Sequence, residues 1–381
     1  MSTPAELYKN AIDLNRFSNS VAKRVARTYN DLIEDTLDQL AAVGSRPTPT
    51  QTARLNSILI QLKSSLDGWA NIATELTASE LQGLAELQVN FIEGILEDIV
   101  PEELSYQVKS VQISPEFAKA VATIDPTAYN VVSLSDDLGF AVTGTPKPFT
   151  LDVGNGSIIT LPNGANLSAA YKRLAGRQAE IYSREVRNGL ITGEPAETIA
   201  RRLRKQLTAV PNNQIRAMVR TSVNQIQNAA SQAVYTQNPD VVSGYRYMAV
   251  LDTKTSAICR ALDGRVFEFG EGPLPPQHFN CRSTHEAFID YEKLGFKEPP
   301  GGERRAGKKF VPAGTDYGKW LYAQDASTKN DVLGAAKVPY FNYLARKHGA
   351  SNAIARFVSD DGTELTLEEL RQNYPRVKTP K

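Results

Sequence analysis

The chain has 381 residues, 41% of them apolar, with a net charge of +1 and two cysteines. That is enough apolar material for a sizeable core in two or three domains. Two cysteines give no disulfide framework, which suits a reducing cytoplasm, no apolar run is long enough to span a bilayer, and MSTPAELYKN lacks the apolar core of a signal peptide.

The near-neutral total hides a split. Residues 1–100 carry 8 Lys/Arg against 13 Asp/Glu, whereas residues 171–220 carry 11 against 4. An acidic end and a basic middle point to different partners for different segments.

Residues 4–43 read as one long helix, because Leu14, Phe17, Val21, Val25, Tyr29, Leu32, Thr36 and Leu40 recur at steps of three and four. Gly44 to Pro49 ends it. A second helix is expected with Leu55, Ile58, Leu62, Leu66, Trp69, Ile72 and Leu76 on one face, and a third, capped by Thr77 or Ser79, with Leu81, Leu84, Phe91, Ile95 and Ile99. Such helices form either a self-contained bundle or a set laid on another protein. A forty-residue helix beside shorter ones would leave part of its stripe, around Val25, for a partner. Residues 101–165 are punctuated by Pro101, Pro115 and Pro126, and Phe149 to Leu161 predicts a β-hairpin around Gly154-Asn155-Gly156.

From Leu167 the chain turns helical and basic, with interruptions expected at Asn188-Gly189 and Thr192-Gly193. Glu194-Pro195 start a helix with Arg201, Arg202, Arg204 and Lys205 on its polar side, and Asn212 or Asn213 begins the next, which carries Arg216 and Arg220. Arg220 lies among apolar neighbours, so a carboxylate such as Asp252 or Asp263 is its expected partner. Tyr245 to Leu251 alternates as a strand. Asp252 or Thr255 caps a short helix holding Cys259 and Leu262, Asp263-Gly264 turns, and Arg265 to Phe269 is a second strand. Gly272 to Pro276 is extended, and Cys281 to Ile289 is the last strand. Both cysteines and two of the three histidines, His278 and His285, fall in this knot. Glu298 to Lys309 (EPPGGERRAGKK) reads as a linker. A helical tail follows, whose Trp320, Tyr340, Phe341 and Tyr343 either pack locally or dock on a larger surface.

Several spaced residues carry a resemblance in order: Arg220-Thr221-Ser222, Gly244-Tyr245-Arg246-Tyr247, Leu251-Asp252-x-x-Thr255-x-x-x-Cys259-x-x-Leu262-Asp263-Gly264, and Pro276-x-His278-x-Asn280-Cys281-Arg282. Over residues 167 to 289 the chain resembles the Mu F-like head-morphogenesis family, minor capsid proteins of tailed phages. Many members have Cys-x-x-Cys and end in Cys-Arg-Cys; here Ser256 and Ser283 stand at the outer positions. The expected fold is α+β and predominantly helical. It comprises an N-terminal helical region (1–127), a connector with a β-hairpin (128–166), a Mu F-like domain with a short-strand knot (167–290), a linker (291–315) and a helical tail (316–381).

The chemistry is read from few residues. Cys259, His278 and Cys281 have zinc-ligand types at a workable spacing, whereas His285 would lie about 13 Å along the last strand. With no fourth ligand in view, no cofactor is expected. Zinc stays open beside a metal-free clasp of the same side chains, and His278→Ala should then lower the thermal midpoint more than His285→Ala. Asp252, Thr255, Asp263 and Gly264, with Arg220, form the motif's core. A Cys/His pair also invites a nucleophile reading, in an enzyme or toxin, but no base, orienting group or oxyanion hole accompanies it. Arg201, Arg202, Arg204, Lys205 and Arg216 offer a sequence-neutral contact to packaged double-stranded DNA, as in a DNA-binding accessory protein. The resemblance implies a non-enzymatic virion component, made in the host cytoplasm. It would lie in the capsid interior or by the portal, in one or many copies. Its partners would be the portal and the major capsid or scaffolding protein, with a part in genome delivery and no membrane.

Overall fold

The computed structural model describes residues 3–43, 48–104, 106–112, 131–134, 140–143, 149–152, 158–161, 167–278, 280–299, 301–307, 309–359 and 362–377. Its architecture is α+β and mostly helical, with helical N- and C-terminal parts and small antiparallel sheets. Among the described residues no helix is long and apolar enough to cross a membrane.

Long helices build the first part. Helix α1 (Thr3–Ala41) follows its period, and α2 (Pro49–Ile99) begins at a capping box in which Thr48 and Gln51 satisfy each other's backbone N–H groups. Most of segment 44–49, expected to end α1, lies outside the described residues. Helix α2 does not break at Thr77 or Ser79. Thr77 Oγ1 donates to the Ala73 carbonyl (2.7 Å) and meets Tyr171 Oη at 3.0 Å, while Ser79 Oγ donates to the Leu76 carbonyl. Hydroxyls that bond back within a helix do not cap a new one. The expected second and third helices are therefore one of 51 residues, longer than α1.

That length removes the argument for an uncovered stripe. Val21, Val25, Tyr29, Leu37 and Leu40 are fully buried, with Trp69 edge-on to both Tyr29 and Tyr171 (5.1 and 5.6 Å). The stripe belongs to the protein's own core, not to a partner.

Helix α3 (Leu167–Thr192) passes through Asn188-Gly189 and stops at Gly193, whose φ is +71°. Gly189 serves packing: a Cβ there would fall 2.3 Å from Ile199 Cδ1. Helix α4 (Ala196–Gln237) contains Pro211 and does not restart at Asn212 or Asn213. Ile199, Leu203 and Leu207 before the proline and Ile215, Val219 and Val223 after it are all buried. Their continuous burial outweighs the ~3 kcal/mol that an interior proline costs. The charge split resolves partly within the molecule, because Arg204 of α4 pairs with Glu34 (2.7 Å) and Asp38 (3.2 Å) of acidic α1.

Among its described residues the connector holds two antiparallel strand pairs. Strands β3 (Phe149–Asp152) and β4 (Ile158–Leu161) pair as expected, their turn lying outside the described residues, and β1 (Val131–Leu134) pairs with β2 (Phe140–Thr143). The knot is a three-stranded antiparallel sheet in the order β6 (Val266–Phe267), β5 (Gly244–Met248), β7 (Thr284–Phe288), with helix α5 (Ala257–Leu262) between the first two in sequence. Gly244 is required where the sheet is tightest, since a Cβ would meet the Phe267 carbonyl oxygen at 2.2 Å.

The stretch expected as a linker is structured. Strands β8 (Glu303–Ala306) and β9 (Lys309–Pro312) form a hairpin that delivers Arg304 to a buried position. Beyond it α6 (Tyr317–Tyr322), α7 (Ala326–Leu333), α8 (Val338–His348), α9 (Ala350–Ala355) and α10 (Leu367–Asn373) close a second core around Tyr317, Trp320, Phe341, Phe357 and Leu370. Trp320, Tyr340 and Phe341 are buried in it and Tyr343 packs partly against it, so these aromatics pack locally and are not a docking surface.

Candidate metal centre

The knot is fixed first by helix α4, whose residues Thr221 to Tyr235 are buried on every side. Such a helix must satisfy its polar side chains internally. Asn224 Nδ2 donates to the Ser283 carbonyl (2.8 Å), Gln227 Nε2 to Thr284 Oγ1 (3.1 Å), and Thr221 Oγ1 accepts from the Asn280 N–H (3.0 Å). Asn280 has φ +58°, a left-handed turn that asparagine tolerates, immediately before Cys281.

Two guanidinium–carboxylate forks brace the same unit. Arg282 reaches Asp252 through both nitrogens, at 2.6 and 2.8 Å. Burial opposes ionisation of Asp252, but Arg282 overcomes it and holds the carboxyl below its usual range. Arg304 approaches Asp263 with both nitrogens at 3.1 Å and also donates to the Ala249 and Thr315 carbonyls. Asp263 is fully enclosed, and burial pushes its carboxyl up despite Arg304. Gly264 then turns with φ +80°, close against Asp316.

Arg220, expected on Asp252 or Asp263, takes neither. It donates to Asn19 Oδ1 of α1 at 2.7 Å, while Arg282 holds Asp252 and Arg304 holds Asp263. Asp252 and Thr255 do not cap α5 either. Ser256 is the cap residue, Asp252 accepts from the Lys254 N–H, and Thr255 donates to the Val250 carbonyl.

Against this frame Cys259, His278 and Cys281 converge, their ligand atoms all within 4.8 Å of one another. Helix α5 presents Cys259, and the buried run Pro273 to Pro276 carries the chain across to His278 and Cys281. The sulfurs lie 3.7 Å apart, and Cys259 Sγ lies 3.4 Å from His278 Nε2. Two sulfurs on one tetrahedral zinc, at about 2.3 Å each, stand about 3.8 Å apart, and a sulfur and an imidazole nitrogen about 3.5 Å. The donor types and their spacing therefore fit a metal ion. Ser256 Oγ lies 2.8 Å from His278 Nε2, and Tyr247 Oη 3.3 Å from Cys259 Sγ. Ser283 is buried beside Tyr247 and Cys259.

Burial pushes the Cys259 thiol well up. Burial acts the same way on Cys281, but hydrogen bonds from Cys259 and His278 reverse it and bring that thiol well below the usual range. Cys281 is thus the sulfur that ionises first, as a metal ligand must.

His285 stands outside the cluster, as its strand spacing predicts. It is completely buried, donates Nδ1–H to Asn228 Oδ1 (2.8 Å), and lies edge-on to Tyr235 and Tyr245. The expected ranking of His278→Ala above His285→Ala in destabilisation is therefore not supported by packing: His285 fills core space and His278 is half-buried. Among the basic residues singled out for DNA, Arg202 pairs with Glu185 (3.1 Å) and Glu194 (2.6 Å) and Arg204 with Glu34 and Asp38. Arg201, Lys205 and Arg216 are exposed. Sequence reading gave Tyr247 no role beyond its place in the motif, and missed Asn228 and Arg304. The first two sit in ordinary strand and helix contexts, and Arg304 in a Pro/Gly-rich run that hides a buried residue.

Residues 180–286 match the family described as Phage Mu protein F like protein. The "Mu-like prophage FluMu F protein" of Haemophilus influenzae is 27% identical over 169 residues, which cover 42% of this chain and 39% of that protein. The chain thus spans about two fifths of the length of the curated relative it matches. No solved structure matches it. These similarities support a general kinship with Mu F-like phage proteins over the stretch that forms α4 and the knot.

Proposed function

We propose that this protein is a non-enzymatic structural component of a phage head, acting in head assembly at the portal or inner capsid surface. Its Cys259/His278/Cys281 cluster is a clasp that holds the knot together. The observation that carries this reading is the burial of the cluster inside the Mu F-like stretch. Cys259 and Cys281 are 1% and 4% exposed, so neither thiol meets a substrate as an exposed nucleophile would. Zinc is the ion the donor set suits, with Ser256 Oγ or water at the fourth position. It would tie α5 to the far end of the proline crossing and supply cohesion, not chemistry. Zinc content of protein purified without chelators separates a metal-held clasp from one held by hydrogen bonds alone.

The assembly role rests on the kinship with a prophage F protein. Mass spectrometry of purified virions and proheads, beside a pull-down with the portal protein, tests it. Presence in either particle supports the role, and absence from both particles and from the pull-down ends it.

A further inference from the structure

Helices α1 and α4 meet along a seam. The Arg220–Asn19 hydrogen bond at one end and the Arg204–Glu34 and Arg204–Asp38 pairs at the other show that the two helices run antiparallel. In that register Lys23 comes opposite Arg216 and Arg27 opposite Asn212. These four residues, with Ala26, Asn30 and Asp31, line one open cavity of about 320 Å³. Lys23, Arg27 and Arg216 are exposed, and among the described residues no ion pair joins them or Arg220 to a carboxylate. Elsewhere on the same helices the pattern is the reverse: Arg24 is held by Glu80 at 2.7 Å and Arg204 by two acids.

Polar atoms at the seam also lack partners: Asn30 Oδ1, Asn212 Oδ1 and Arg220 Nε are buried with no hydrogen bond in the protein. Four cations over about 12 Å of the seam, with two amides beside them, form a site for several phosphates in a row. The lining contains no aromatic side chain, so nothing there would stack an unpaired base. With a net charge of only +1 on the whole chain, overall attraction to a polyanion is weak, and any affinity must come from such a local strip.

We propose that the α1–α4 seam, through Lys23, Arg27, Arg216 and Arg220, binds the phosphate backbone of double-stranded DNA without regard to sequence. The contact differs from the one expected from sequence, because Arg202 and Arg204 are engaged within the protein and half of the binding strip lies on the acidic N-terminal helix. Asp31 is the one carboxylate on the lining, and it sits at the end nearer the Arg204 pairs.

The test is fluorescence anisotropy of the full-length protein with labelled 30-base-pair duplexes of two unrelated sequences, between 50 and 300 mM KCl. Four neutralised phosphates predict a slope of log K against log salt of about −3 to −4, the same for both duplexes. Arg27→Gln/Arg216→Gln should bring the slope to about −2 and weaken binding at 100 mM KCl by on the order of fiftyfold. Arg346→Gln/Arg371→Gln removes the same charge from exposed positions on the C-terminal helices, outside the cavity lining, and should leave the slope unchanged, with circular dichroism showing that both variants are folded. Equal losses in the two variants, no binding at 50 mM KCl, or tighter binding to a single-stranded 30-mer would each overturn the proposal.

Discussion

Lowering the pH from 6.5 to 5.0 should weaken the fold by about 2 kcal/mol through one side chain, His285. Its Nδ1–H is committed to Asn228 Oδ1, while Nε2 is buried with no partner. Protonation would place a charge and an unpaired N–H between two tyrosine rings, and burial accordingly pushes the histidine from 6.5 down to about 3. The unfolded chain takes up this proton near pH 6.5 and the folded chain only near pH 3. Between those values the unfolded state binds more protons, so the stabilisation is complete above pH 6.5 and is lost as the pH falls. One and a half pH units at about 1.36 kcal/mol each, less about 0.4 kcal/mol because the unfolded imidazole is already half protonated at pH 6.5, give a little under 2 kcal/mol. Urea unfolding at intervals from pH 7.5 to 5.0 measures it. His285→Asn keeps a donor for Asn228 and removes the titration, so the wild-type-minus-variant difference cancels the other histidines. A difference that stays constant across the window would refute the burial and pairing assigned to His285.

Two further substitutions test parts of the fold that the sequence misrepresents. Arg304→Ala leaves the enclosed Asp263 without its cation and should cost about 3–5 kcal/mol in urea unfolding; Asp263→Leu/Arg304→Met should recover at least half. A true linker at 298–309 would instead make Arg304→Ala neutral. Val25→Asp puts a carboxylate at a fully buried position of α1 and should cost about 4 kcal/mol or more. Loss of helical circular dichroism at 37 °C would show it. A variant that keeps wild-type stability but fails to bind a head protein would restore the docking reading of that stripe.

Helix α1 is legible in the sequence because its apolar residues keep a period of three and four over the whole length. The continuity of α2 and α4 is not, because Thr77, Ser79 and Asn212 are also good starting residues. Only the partners settle it: Tyr171 for Thr77, and the shared buried face on both sides of Pro211 for α4. The convergence of Cys259, His278 and Cys281 follows from the strand, helix, turn and proline crossing read in order. The arginine assignments do not. Arg304, 41 residues beyond Asp263 in sequence, lies in a stretch that reads as a linker, whereas Arg220 lies among apolar neighbours and so invites a buried carboxylate as its partner. Ser256 and Ser283 read as departures from a cysteine pattern, yet both remain at the cluster: Ser256 hydrogen-bonds His278 and Ser283 is buried beside Cys259.

The clasp is tested most directly by a double-mutant cycle across the proline crossing. Cys259→Ala, His278→Ala and the double variant are unfolded in urea beside the wild type. A clasp predicts that the two residues depend on each other, with a coupling energy of about 1 kcal/mol or more. Losses that add to within about 0.5 kcal/mol would mean that each side chain only fills its own space, and would contradict it.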